Sequence, residues 1–262
     1  MIKVLKARIK KIYLYRHTLW DMAIKKLKAK YADSILGIAL AVLNPLLMML
    51  AISFVFTSIL KMEMKGFPAF VLAGIFPWMF FTAALSESVS SFMEHQNILR
   101  QFNLPREIIP LSCVLSNFIN FLIGWIFICP IFIFLNPKII PVLPLLCIVL
   151  ITNFLFVCGL GMVVSIANVF FRDIGQLLGV FLTFWFWITP IFYSAEMVPS
   201  GFKWVANINP VTSYVVFYRD IVFYGFCPGP SVFTAVFLWA FVSLTLGWLV
   251  LVNCESQLLR RI

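Results

Sequence analysis

Residues 108–135 read IIPLSCVLSNFINFLIGWIFICPIFIFL, an apolar run that contains no Asp, Glu, Lys or Arg. A helix of about 20 such residues crosses a hydrocarbon core about 30 Å thick, so this stretch alone points to a membrane. The strands of a membrane barrel would instead alternate in polarity over about ten residues, and this run does not alternate. Moving outward from it, five further runs read the same way. The six predicted spans are Ile35 to Leu60, Pro68 to Met93, Ile108 to Leu135, Val142 to Asn168, Gly175 to Tyr193 and Ser231 to Asn253. The expected fold class is all-α integral membrane, with a cytoplasmic N-terminal region over 1–34 and one six-span domain over 35–262.

Composition agrees. Hydrophobic residues make up 63% of the 262, charged residues 11%, and the mean hydropathy is +1.03, whereas soluble domains carry about 25% charged residues. The net charge of +10 is a topology signal, because basic residues are retained on the cytoplasmic side of short loops. With both termini inside, 15 of the 20 Lys and Arg fall inside, and only Lys61, Lys65, Lys138, Lys203 and Arg219 fall outside. The basic inner surface would attract anionic membrane lipid. A nucleic-acid partner is not expected, since that would need a soluble basic face.

From His17 to Ala32, the residues Trp20, Ala23, Ile24, Leu27 and Tyr31 recur at helical spacing, with Asp21, Lys25, Lys26 and Lys28 on the remaining surface. This pattern predicts an amphipathic helix at the inner interface. The first 34 residues contain no apolar core of a cleavable signal peptide, so the first span is expected to drive insertion. Asn44 and Pro45 predict a kink in the first span. Asn117 and Asn120 are expected to hydrogen-bond between helices. The loop between the second and third spans, Glu94 to Glu107, predicts a short amphipathic helix with Ile98, Leu99 and Phe102 on one side, ended near Pro105.

Between spans five and six lie 37 residues, Ser194 to Pro230, with only Glu196, Lys203, Arg219 and Asp220 charged. This segment is too apolar for a solvated loop and too interrupted for a span. Two short helices re-entering the outer leaflet fit it, with Asn207, Asn209 and Pro210 at the turn between them.

The chemistry-bearing residues are few. Glu87 is the one carboxylate inside a predicted span, beside Ser86, Ser88, Ser90 and Ser91; intramembrane carboxylates are candidates for function, and a structural pairing is the competing reading. The two histidines, His17 and His95, belong to no metal-ligand pattern. No Gly-Lys dipeptide occurs, which rules out a phosphate-binding P-loop in this chain. The six cysteines lie mostly within spans, with Cys227 alone facing outward, so no disulfide is expected. Aromatics cluster by depth: Phe54, Phe56, Trp78, Phe81, Phe184, Trp185, Trp187 and Tyr193 all fall in the outer halves of spans. They form either the usual interfacial belt or a sugar-contacting path.

Several blocks together resemble the membrane subunits of type-two ABC exporters, especially those moving O-antigen, capsule or teichoic-acid-like polysaccharides. The blocks are Lys30, Tyr31, Ser34, Leu36 and Gly37; Asn44 to Leu46; Phe76, Pro77, Trp78 and Phe80; Leu104 to Glu107 with Ile109 to Leu111; Phe170 to Ile174; and Thr189, Pro190, Ile191, Tyr193, Asn209 and Pro210. Ile38 to Ala41 lack an aromatic often found there. The resemblance implies a homodimer in a bacterial inner membrane, enclosing a channel for a lipid-linked polysaccharide. It also implies two copies of a separate nucleotide-binding ATPase subunit, which would hold ATP and Mg; no cofactor is expected on this chain. A coupling helix over 94–105 would present Glu94, Ile98, Leu99, Arg100, Phe102 and Pro105 to that ATPase, and outer gate helices would span 194–224. A drug or small-lipid exporter of the same family, an intramembrane enzyme acting on lipid-linked sugars, and a passive channel or ion-coupled carrier are the alternatives.

Overall fold

The computed structural model describes residues 8, 10–32, 36–61, 63–101 and 104–261, with positions 98, 100, 256 and 259–261 described by backbone alone. Ile35, Phe102 and the side chains of Ile98 and Arg100, all named above, therefore lie outside the described residues. Among those described, the chain is helical without strands. The helices are α1 (Arg16–Tyr31), α2 (Leu40–Ser53), α3 (Phe67–Glu94), α4 (Gln96–Gln101), α5 (Ile108–Leu135), α6 (Pro144–Phe170), α7 (Ile174–Ile188), α8 (Lys203–Ile208), α9 (Pro210–Arg219) and α10 (Pro230–Arg261). Two of them run on as wider π turns, α2 into Phe54–Ile59 and α9 into Asp220–Tyr224.

Five of these are long and apolar enough to cross a membrane: Leu40–Ile59, Phe67–Glu94, Ile108–Leu135, Pro144–Phe170 and Pro230–Glu255. They match five of the sequence-predicted spans to within a few residues. The remaining predicted span differs. Helix α7 has 15 residues, about 22 Å at 1.5 Å per residue, against a core of about 30 Å. It stops because Pro190 cannot continue a helix and drives the residue before it into an extended conformation. Thr189 is extended, and its hydroxyl donates to the Trp185 carbonyl at 2.7 Å.

Helix α3 is the hub, largely buried and in contact with α2, α5, α6, α7 and α9. Lipid tails are as apolar as leucine, so helices associate in a bilayer through close fit of small residues rather than through exclusion of water. Helices α6 and α10 show this. Gly159 and Gly247 place the two backbones in direct contact, and the Ser243 hydroxyl donates to the Phe156 carbonyl at 2.6 Å.

Helix α1 packs along the seam between α3 and α5. Its partners lie progressively deeper along the chain: Lys26 meets Glu94 at 3.3 Å, Lys30 meets Glu87 at 2.9 Å, and the Tyr31 hydroxyl donates to Asn120. Ala23 and Leu27 of the expected stripe are buried and Tyr31 packs with them, while Trp20 departs from it at 53% exposure and Lys26 joins the packed face. The opposing surface carries carboxylates and amides beside its apolar positions, so Lys26 and Lys30 find partners at the edges of the Ala23 and Leu27 contact.

The segment after α7 is ordered by hydrogen bonds. Turns at Ala195–Met197 and Ser200–Phe202 lead into α8, and Asn209 caps α9 by accepting from the Val211 amide at 3.0 Å. Helix α9 is buried: the Tyr214 hydroxyl donates to the Val236 carbonyl at 2.9 Å, and Asn153 donates to Tyr218 at 3.3 Å. Gly225, at φ +76°, closes the π turn where a side chain would press on the Lys138 backbone.

Candidate functional site

Three features concentrate the polar and aromatic chemistry: a groove, a knot beside it, and an ionic cluster at the α1 end. The groove, with a volume near 750 Å³, runs between α2, α3 and α7. Leu47, Met48, Ala51, Ile75, Met79 and Leu182 give it apolar walls, and Asn44, Thr82, Ser86 and Thr183 supply polar positions. Trp78 and Phe186 lie in its wall, with ring centroids 5.7 Å apart.

The eight sequence-predicted aromatics divide into buried, half-buried and exposed residues. Trp78 and Phe81 are buried in the bundle; Phe81 meets Trp185 edge-on at 5.2 Å and stacks on Phe156 at 5.9 Å. Phe56, Trp187 and Tyr193 gather around Phe192, at 5.1, 5.3 and 5.4 Å. Phe186 joins the two groups, 5.8 Å from Phe192. Phe54, Phe184 and Trp187 point away from the bundle, 63%, 64% and 61% exposed. Among the described residues, Phe54 and Phe184 join no ring contact. Phe186 and Phe192, the connecting rings, were not among the predicted residues, because an all-apolar helix offers no moment that distinguishes one phenylalanine from the next.

The knot gathers the last block of the sequence. Trp185 donates its indole N–H to Asn209 Oδ1 at 2.8 Å, and Asn209 Nδ2 donates to Thr189 Oγ1 at 2.9 Å. Arg219 stands behind them. The sequence reading placed this residue in an outer loop, yet it is only 3% exposed. Its guanidinium donates to the carbonyls of Pro190 at 2.6 Å, Tyr193 at 3.3 Å, Phe70 at 3.4 Å and also Ile191, and lies 3.6 Å from the Phe70 ring centroid. A helix broken at Pro190 leaves carbonyls without amide partners, and a five-donor fork satisfies them at one point. An arginine in an otherwise apolar stretch was the available signal.

At the α1 end, Glu87 accepts from Lys30 at 2.9 Å and from Asn117 Nδ2 at 2.7 Å, and Lys30 also donates to Asn117 Oδ1 at 3.1 Å. The intramembrane carboxylate is thus paired, and both asparagines bond between helices. Nearby, Arg8 bridges Glu107 at 2.9 Å and Glu255, which also pairs with Arg106. Burial alone would lower the Arg8 guanidinium pKa; hydrogen bonds and charge from the two carboxylates outweigh it and raise the value. Likewise burial would lower Lys26, and Cys113 and Glu94 beside it carry it above its ordinary value. Of the predicted coupling residues, Glu94 ends α3 and pairs with Lys26, Leu99 packs inward at 9% exposure against Phe92, Ile109 and Leu258, and Pro105 is buried. His95 interrupts the helix, so Glu94 ends α3 and α4 covers Gln96–Gln101 of the expected 94–105, with 102 and 103 outside the described residues and Pro105 not helical.

The groove, the knot and most of α1 lie within residues 18–223, which match the family described as ABC-2 type transporter. The chain belongs to that family. Among its relatives, the ABC-2 chain is 31% identical over 206 residues to the O-antigen export system permease protein RfbA of Klebsiella pneumoniae, covering 77% of this chain and 78% of the relative. A second Klebsiella pneumoniae protein of that name is 29% identical over 208 residues, with the same coverage. The protein of that name from Myxococcus xanthus is 26% identical over 249 residues, 92% of each chain. The match therefore reaches beyond the family segment into α10.

Proposed function

We propose that this ABC-2 chain is the membrane subunit of an ATP-driven exporter that moves a lipid-linked cell-surface polysaccharide across a bacterial inner membrane. The observation that carries the reading is the likeness to permeases named for O-antigen export, which covers up to 92% of the chain. In this reading α7 and the residues after it complete a sixth span, both termini are cytoplasmic, and 194–224 form the outer gate. Two copies of the chain enclose the path, and two ATPase subunits dock near α4 and hydrolyse ATP, since this sequence has no P-loop.

The structure supports the reading in two ways. Helices α2 and α7 expose aliphatic and aromatic faces, Leu47, Leu50 and Phe54 on one and Val180, Phe184 and Trp187 on the other. A sugar ring offers C–H faces that pack on aromatics with little demand for particular polar groups, which suits a repeating polymer. The α1 end carries the charged network that links residue 8, the segment after α4 and the end of α10, so a displacement imposed at α4 would reach α5 and α10 together.

The test is co-purification of the tagged chain with candidate ATPase subunits, comparing wild type with an Ile98→Asp and Phe102→Asp double variant. The reading expects a stable complex that the variant loses. Its failure would be recovery of the chain alone in both cases.

A further inference from the structure

A separate cavity, of about 180 Å³, joins three distant segments of the chain: Arg8 and Lys11, the stretch from Leu104 to Glu107, and Glu255. Arg106 and Glu107 stand just before the span Ile108–Leu135, and Glu255 ends the span Pro230–Glu255. The cavity therefore lies where hydrocarbon gives way to headgroups. Trp248 marks the same depth, seven residues and so two turns before Glu255 on one face of α10. Tryptophan collects at membrane interfaces, and the Arg8 guanidinium lies 6.0 Å from the Trp248 ring centroid.

The lining carries both signs of charge. Arg8 bridges Glu107 and Glu255, and Glu255 also takes Arg106, so these two arginines and two carboxylates balance. Donors are left over. Lys11 is exposed, and its ammonium has no partner among the described residues. Arg106 Nε is buried and likewise unpartnered among them, and a buried donor of that kind calls for an acceptor. On the acidic side the Glu255 side chain stays 29% exposed, and a carboxylate that already accepts from two arginines has lone pairs for a further donor.

A simple anion would meet Lys11 but also two carboxylates. A simple cation would meet Glu255 but also three basic side chains. A zwitterion uses both signs, and a bilayer supplies one at this depth in the form of a phosphodiester joined by two carbons to a primary ammonium. The three N–H bonds of that ammonium suit a carboxylate, whereas the trimethylated nitrogen of choline has none to give. The volume is below the about 300–1,000 Å³ of drug-sized sites, which fits a headgroup whose acyl chains remain in the bilayer.

We propose that this cavity holds the headgroup of phosphatidylethanolamine, with the phosphodiester against Lys11 and Arg106 and the ammonium against Glu255. The bound lipid would tie the N-terminal segment to the start of α5 and the end of α10. It is a lipid of the surrounding bilayer and not a cargo. The site goes beyond the export reading, since it needs a membrane and no particular substrate.

The test uses the full chain in detergent and measures binding by native mass spectrometry. The probes are phosphatidylethanolamine, phosphatidylcholine and phosphatidylglycerol with the same acyl chains, together with glycerophosphoethanolamine, which is the headgroup without the chains. Phosphatidylethanolamine is expected to bind about tenfold or more tightly than each of the others, as one charge-assisted hydrogen bond implies. Glu255→Gln should erase its preference over phosphatidylcholine and leave phosphatidylcholine binding in place. Lys11→Gln should weaken phosphatidylethanolamine several-fold; Lys11 has no structural bond to lose, so this variant decides the matter if Glu255→Gln fails to fold. Equal binding of the three lipids would overturn the proposal, and so would tighter binding of phosphatidylglycerol, which would mean an anion site. Glycerophosphoethanolamine binding as tightly as the lipid would mean a site for a soluble molecule, and an unchanged affinity in Lys11→Gln would place the lipid elsewhere; either result sinks the proposal. ATPase co-purification is read separately, so loss of lipid selectivity leaves the export reading standing.

Discussion

Gly159 and Gly247 hold α6 and α10 backbone to backbone: a Cβ on Gly247 would collide with the Gly159 carbonyl oxygen and sit 3.0 Å from its Cα. Since the obstacle is backbone, neither helix can yield by rotating a side chain. Gly247→Val should therefore separate the two helices, at about 1–3 kcal/mol for overpacking. Gly179, with open space around its Cβ position, is the control. Thermal unfolding in detergent should show a clear fall in Tm for Gly247→Val and almost none for Gly179→Ala.

Arg219 has a different weakness. Removing it strands four carbonyls, each of which loses about 1–3 kcal/mol of satisfaction if buried. Arg219→Met should loosen the segment after α7, exposing 194–209 to protease in a way the wild type resists. Arg219→Lys should recover little, because a single ammonium cannot serve four acceptors spread along Pro190 to Tyr193 and Phe70. Equal proteolysis of all three forms would show that the guanidinium is not what holds the segment.

The pair Lys30 and Glu87 is partly exposed, with side-chain exposures of 36% and 33%, so its coupling should be modest. A double-mutant cycle with Lys30→Gln and Glu87→Gln is expected to give about 0.5–1 kcal/mol, and to shrink at high salt. A coupling that persists unchanged in high salt would mean that the pair is shielded from solvent.

Export should separate the aromatics by position. Trp78→Ala and Phe81→Ala remove buried rings and should destabilise the chain by about 3–5 kcal/mol. Trp187→Ala and Phe184→Ala remove exposed rings, so they should leave Tm nearly unchanged while lowering polysaccharide export. Normal export in the doubly substituted exposed pair would remove aromatics from the path.

Sequence and structure agree best where hydropathy decides. The run from Ile108 to Leu135 carries no ambiguity, and its helix has those bounds in the structure. Agreement fails where a polar group answers another across space. The sequence places Lys26 on the surface, because its own helix gives no hint of Glu94, 68 residues away. Arg219 looked like a loop charge for the same reason: its acceptors are backbone carbonyls, which every residue possesses and no sequence marks. The Thr189, Asn209 and Pro210 block was visible as a pattern, while the indole bond that ties it to Trp185 was not. The division of the aromatic residues into buried, half-buried and exposed positions is equally hidden, since the helical stretches around most of them are apolar on all sides.

The grip of Arg219 also sets an order of events during synthesis. One of its acceptors, Phe70, precedes it by 149 residues, and Tyr214 on the same helix waits for Val236 in α10. Arg219 can thus be satisfied as soon as α9 is in place, while one bond of Tyr214 stays open until α10 has been made. A nascent chain arrested before α10 would already hold every acceptor of Arg219 and would lack only the Val236 carbonyl that Tyr214 takes.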